Sequence, residues 1–251
     1  MFGLEVSTLA IAFGALVIGG IAKGITGIGL PIISIAILVN FLPPTLCIAI
    51  VVIPILVTNF WQAVTSTSIL VPIKRFWPTI LCFITALIIG ARLLVGLDAQ
   101  VLYAILGVSV LIFSASNLFR PRARAIKPAT ERWLGPLAGV AGGLLGGIST
   151  IWGPPLMMFL MSLHLKKDEW VRSVGLIWFA GAVPLTLAFW ANGILNGQTL
   201  PLSIAACVPG MIGILIGERI RGWINQDTFR KVMLSLLFLI GLNLIRRALF
   251  Q

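Results

Sequence analysis

GGIAKGITGIGLP, residues Gly19 to Pro31, interrupts an apolar run that extends from about Thr8 to Val39. A run of that length can cross a bilayer as a helix. This one carries glycines, a lysine and a proline in its middle, so the helix is expected to break there. In hydrocarbon a broken backbone has no water for its freed polar groups, so it must be buried in protein or line a cavity. A buried cation such as Lys23 is costly without a partner. Together these features predict an anion site partway through a membrane.

The break occurs twice. Gly142 to Pro154 reads GGLLGGISTIWGP. Aligned without gaps, Gly19/Gly142, Gly20/Gly143, Gly24/Gly147, Ile25/Ile148, Ile28/Ile151 and Pro31/Pro154 are identical, and Thr26 faces Ser149. The offset, 142 − 19 = 123 residues, is close to half of the 251-residue chain and also pairs Gly90 with Gly213. This indicates an internal duplication. It gives a first repeat at 1–119, a basic linker at 120–133 and a second repeat at 134–251. Paired Gly/Pro interruptions in the two halves of a membrane protein point to a transport site.

Composition agrees. The chain is 59% hydrophobic and 10% charged, with mean hydropathy +1.09, whereas soluble domains carry roughly 25% charged residues. An integral membrane protein is expected. The N-terminus MFGLEVSTLAIAFG lacks a basic n-region, so no cleavable signal is expected. Cys47, Cys82 and Cys207 stand singly in apolar segments, and no Cys-x-x-Cys suggests metal or redox work. The net charge of +11 is explained by loop lysines and arginines that set membrane orientation, so no nucleic-acid partner is expected.

Three full-length spans are expected after each break: Thr45–Ser66, Trp77–Leu97 and Val101–Phe119, then Val171–Ala191, Leu200–Ile216 and Phe229–Leu249. Pro54, Pro184 and Pro209 lie inside them and predict kinks. Charge decides how the broken stretches cross. If each is one full span, Lys and Arg divide 9 to 7 between the two sides, with Lys23 and Arg92 set aside. If each is a re-entrant hairpin, 14 fall on one side and only Arg246 and Arg247 opposite. The positive-inside rule selects the second case. Each half then makes an odd number of crossings. The fold expected is an all-α integral membrane protein of two inverted-topology repeats, with the linker cytoplasmic and both termini outside the cytoplasm.

In each hairpin a short helix runs inward, a glycine-rich turn follows, and a second helix starts at Pro31 or Pro154, where the missing N–H is harmless. Helix N-termini bind oxyanions through exposed N–H groups and the helix dipole. Gly27, Gly29 and Gly153 allow close backbone approach, and Thr26, Ser149 and Thr150 add hydroxyls. Lys23 is read as a fixed charge for an anionic substrate, against the alternative that it snorkels to the surface. Trp152 either walls the site or packs. Asn59 and Gln62 share a helix face and either bind substrate or bridge helices. Arg92, six residues before Asp98, either contacts substrate or snorkels outward. His164 is interfacial. All seven carboxylates fall at segment ends or in loops, which disfavours a carboxylate-based coupling mechanism. In a cell with a negative interior, anion efflux is downhill by about 2.3 kcal/mol per charge per 100 mV.

The duplicated Gly/Pro motifs, the chain length, and Gly90-Ala91-Arg92-Leu93 echoed by Gly213-Ile214-Leu215-Ile216-Gly217 resemble the sulfite exporter TauE/SafE family. The resemblance covers essentially the whole chain. It implies a multi-pass protein of the bacterial inner membrane that exports small sulfur anions such as sulfite, thiosulfate or organosulfonates, with no cofactor; a homodimer is left open. The alternatives are an anion channel and a carboxylate carrier of the same fold. A lipid-acting enzyme needs a nucleophile, base or metal cluster, and the sequence offers one His and no such cluster.

Overall fold

The computed structural model describes residues 6–64, 70–118, 126, 128–165, 167–220, 223 and 226–250. Its regular structure is helical throughout the described residues. The first half contains α1 (Val6–Thr26), α2 (Leu30–Leu38), α3 (Pro44–Val64), α4 (Leu70–Val95) and α5 (Ala99–Leu118). The second contains α6 (Pro128–Ser149), α7 (Gly153–Ser162), α8 (Lys167–Ala191), α9 (Thr199–Ala205), α10 (Cys207–Ile220) and α11 (Gln226–Phe250). Among the described residues five stretches are long and apolar enough to cross a membrane: Ser7–Ile25, Pro44–Trp61, Ile73–Val95, Ser173–Ala191 and Thr199–Ile220. The chain is a multi-pass membrane protein. Much of the basic linker lies outside the described residues, and its end from Pro128 onward is the first turn of α6.

Both glycine-rich stretches are helix breaks, and both chains turn back. Ser34 Oγ donates to Ala15 O at 3.2 Å. A Cβ on Gly19 would stand 2.8 Å from Leu30 O, and one on Gly29 would stand 3.8 Å from Ala22 Cβ. The register of α2 therefore runs opposite to α1. The same reversal joins α6 to α7: Cβ atoms on Gly135, Gly142 and Gly146 would meet Phe159, Leu156 and Trp152 at 3.0, 3.0 and 2.9 Å. One expectation needs correcting. The entering arms are not short, at 21 residues for α1 and 22 for α6, or roughly 31–33 Å at 1.5 Å per residue. Only the returning arms are short, at 9 and 10 residues. The glycines inside the entering helices do not break them, because Gly20, Gly24, Gly143 and Gly147 serve packing.

That packing crosses between halves. Gly20 and Gly24 on α1 lie against Gly213 and Gly217 on α10; a Cβ on Gly24 would stand 2.9 Å from Gly217 Cα. Gly143 and Gly147 on α6 lie against Ala86 to Ala91 on α4, with a Cβ on Gly143 2.8 Å from Ala86 Cβ. Each long arm thus packs in parallel on a helix of the other half. Small residues at such contacts let backbones approach, which is how helices associate in lipid. The last helices of the halves, α5 and α11, pair antiparallel: Gly107 meets Ile245 and Gly241 meets Leu111.

The prolines act differently. Pro209 has no N–H for the carbonyl of Ala205, and the expected span at Leu200 to Ile216 is split there into α9 and α10 at Ala206. Pro54 stays inside α3. The carbonyl it orphans, Ile50 O, accepts from Ser203 Oγ at 3.0 Å, while Ile53 N–H donates to the same hydroxyl at 3.1 Å. Ser203 on α9 therefore repairs the proline break in α3. The start of α4 at Leu70 precedes the expected Trp77 because hydropathy reads membrane depth, whereas Lys74 and Arg75 are good helix formers.

Gly20→Leu and Gly143→Leu will each force backbones apart and cost at least the ~1–3 kcal/mol of overpacking, seen as a lowered melting temperature of the purified protein. Gly14→Leu, with nothing within 4 Å of the new Cβ, will leave it unchanged.

Candidate functional site

The two breaks meet at one cavity. It is small and partly open. From the first break come Lys23, Ile28, Gly29, Pro31 and Ile32, and from the second Thr150, Ile151, Trp152, Gly153 and Met157. Ile55 and Asn59 on α3, Phe113 on α5 and Trp178 on α8 complete the wall.

Local backbone explains the tips. Gly27 and Gly29 have φ of 83° and 116°, a region closed to most side chains, so glycine is required there by the turn. Thr150, which aligns with Gly27, keeps the same left-handed conformation at φ 60° without being glycine; such strain gathers at functional sites. Its hydroxyl donates to Ser149 O at 2.6 Å. Pro at the first turn opens both returning helices, as expected. A Cβ on Gly153 would be in van der Waals contact with Phe113 at 3.6 Å and with Ile32 at 4.0 Å, without a clash.

Lys23 is 6% exposed. Its ammonium donates to Thr58 Oγ1 at 2.9 Å and to Asn59 Oδ1. Thr58 Oγ1 donates onward to Ile55 O at 3.3 Å, and Asn59 Nδ2 donates to Trp178 O at 3.5 Å. The amide is thereby oriented with its oxygen toward the lysine. Among the described residues the ion pairs are Arg75–Glu131 and Arg75–Glu169, on the surface, and Lys23 has no carboxylate partner. An ammonium carries three donors, so two neutral acceptors neither exhaust nor cancel it. Among the described residues no group of His, Cys, Asp and Glu can hold a metal.

Of the residues expected at the site, Lys23, Gly29, Asn59, Thr150, Trp152 and Gly153 share the cavity wall. Gly27 belongs to the turn beside it. Ser149 is buried behind the tip, donating to Leu145 O at 2.6 Å and accepting from Ile151 N–H at 3.2 Å. Arg92 is exposed on α4 and forms no part of the wall. The side chains of Thr26 and Gln62 lie outside the described residues. Trp152 does both things proposed for it. It lines the cavity and packs edge-on against Phe83 and Trp178, with centroids 5.8 and 6.5 Å away. Sequence reasoning missed Thr58, Phe113, Met157 and Trp178. Only Thr58, a hydroxyl next to Asn59, left a signal.

Among the described residues two helix breaks of an all-helical, multi-pass protein converge on one cavity, an arrangement in keeping with a membrane transport protein. The match of the sulfite exporter TauE/SafE family model to residues 11–244 makes this chain a member of that family. No curated protein and no solved structure matches it significantly.

Asn59→Leu will leave the Lys23 ammonium short of an acceptor and destabilise the fold by about 1–3 kcal/mol, read from thermal unfolding in detergent. Asn59→Asp, which pairs and cancels the charge, will keep the fold and lose anion binding.

Proposed function

We propose that this protein is a secondary transporter that exports small sulfur-containing anions, such as sulfite or organosulfonates, across the bacterial inner membrane. The observation that carries the reading is the shared cavity: an uncancelled ammonium from one half and the tip of the other half's break stand on the same wall. The N-termini of α2 and α7 add positive dipole ends from two directions. Sulfite and sulfonate groups spread their charge over several oxygens, which suits a lysine, a hydroxyl and backbone N–H groups together. The apolar remainder of the wall, including Phe113, Trp152 and Trp178, suits a sulfonate's organic part.

The architecture supports a reading of alternating access. Corresponding elements of the two halves pack reciprocally, α1 on α10 and α6 on α4, and the corresponding helices α5 and α11 run antiparallel. This favours repeats of inverted topology, as does the distribution of Lys and Arg. One half or bundle rocks against the other about the central cavity, and both termini lie outside the cytoplasm.

In proteoliposomes the protein will show saturable sulfite efflux and trans-acceleration by internal and external anion. Unsaturable flux without counterflow would instead identify a channel, and preference for acetate over sulfite or taurine-like sulfonates a carboxylate carrier. Lys23→Ala will abolish the flux while the protein still inserts and elutes as folded; undiminished flux would remove the lysine from the site. Single cysteines at Asn196 and Lys74 will label from opposite faces, Asn196 from outside the cell; labelling from one face would refute the inverted arrangement.

A further inference from the structure

Arg246 and Arg247 are the two cations left on the face opposite the basic loops, where positive charge is disfavoured. Arg247 is not a loose surface charge. Its Nη1 donates to Val39 O at 3.0 Å and its Nη2 to Asn40 O at 3.4 Å. Its Nε is buried without a partner, and the guanidinium lies 5.8 Å from the centre of the Tyr103 ring on α5. One turn earlier on α11, Asn243 Nδ2 donates to Asn40 Oδ1 at 3.0 Å, and Asn40 Nδ2 in turn donates to Ala36 O at 2.8 Å. Val39 is the C-cap of α2. The last carbonyls of a helix are its negative end and lack intrahelical donors. The final helix of the second half thus supplies the C-terminal cap for the short returning arm of the first.

We propose that Arg247, with Asn243, is a positioning residue for the anion site, acting through α2. This arm has nine residues, about 13 Å of helix. Its far end, Gly29 to Ile32, is cavity wall. A helix so short is a rigid lever, so the joint at its C-terminus sets where its N-terminus stands. The guanidinium neutralises the negative end of α2 and leaves the positive end facing the cavity. The contact also joins the two halves, so motion of one against the other must act on it. The link from α2 to anion affinity rests on the transport reading; the link from Arg247 to the position of α2 does not.

The test uses full-length protein in proteoliposomes with Cys47, Cys82 and Cys207 replaced by alanine. One reporter cysteine is placed on the α2 wall, Ile32→Cys, or on the α7 wall, Met157→Cys. A small methanethiosulfonate reagent is applied without anion. Arg247→Gln will speed modification at position 32 by about tenfold or more, the scale of one charged hydrogen bond lost, and leave position 157 within about twofold. Arg247→Lys will restore much of the slow rate. In cysteine-intact protein Arg247→Gln will raise KM for sulfite efflux far more than it lowers kcat. An unchanged rate at 32, or equal acceleration at 32 and 157, overturns the proposal, the latter showing general loosening. If Arg247→Gln does not insert, Asn243→Ala, which removes the bond to Asn40 together with the exposed bonds from Arg246, carries the same comparison, with Arg246→Ala as the control that leaves position 32 unchanged. Absence of sulfite flux from the wild type, with the labelling pattern intact, would defeat the transport reading and leave the clamp standing.

Discussion

An ammonium held in the interior by neutral acceptors is the constraint on which the rest of this structure turns. Burying a charge is expensive, and pairing it with a carboxylate is the common remedy. Here Lys23 is met by Thr58 and Asn59. Those bonds replace part of the lost hydration but leave the charge uncancelled, so its field remains available to an anion in the cavity. They also bind the structure together, because Asn59 continues to the Trp178 carbonyl on α8. The bonds therefore run from α1 through α3 into the second half. A carboxylate in place of either acceptor would relieve the cost of burial and remove the reason for an anion to enter.

Bringing such a group to the interior requires a break, and the break requires glycine for two separate reasons. Gly27 and Gly29 supply left-handed backbone at the turn. Gly20, Gly24, Gly143 and Gly147 supply close approach, with neighbouring backbone where a Cβ would stand. Sequence reading treated the first pair as room for a ligand, whereas their conformation already explains them. Gly153 differs from both: it lies on the cavity wall, and a Cβ there would only touch Phe113 and Ile32. A glycine-rich motif in a membrane helix is thus a sum of turn, packing and site requirements that composition alone cannot separate.

Much of the frame was legible because its signals are coarse. Breaks in apolar runs and span lengths are set by the bilayer; within the described residues helices lie over the expected spans, and four of the six spans are long and apolar enough to cross. Which face of a span looks inward was far less legible. In lipid both faces of a helix are apolar, so Phe113, Met157 and Trp178 carry no mark that separates wall from lipid contact. Asn59 was readable because an amide in a span needs a partner, and Thr58 could have been read beside it. Arg92 was ambiguous for a related reason. The inner face of α4 is occupied by the small-residue contact at Ala86, Gly90 and Ala91 with α6, and no room is left there for a guanidinium.

The paired motifs do not carry paired chemistry. At the offset of 123 residues, Lys23 corresponds to Gly146, Gly29 to Trp152 and Asn59 to Ala182. These differences are connected. The Trp152 ring needs the space that Gly146 leaves, since a Cβ there would stand 2.9 Å from the ring. Gly29, at φ 116°, occupies a backbone state that a tryptophan would adopt only under strain. One half therefore contributes a charged arm to the cavity and the other a ring. In the proposed function, an anion between them would draw its cation from the first tip and much of its apolar wall from the second. Under alternating access any relative motion of the tips changes that combination. The two access states then differ in affinity, and a ligand can shift a conformational equilibrium only through such a difference. Two identical tips in exact symmetry would offer the anion equivalent surroundings from either side. In the proposed transport cycle the unequal pair makes the kinetics of the two sides unequal, while the anion gradient and the membrane potential set the net direction.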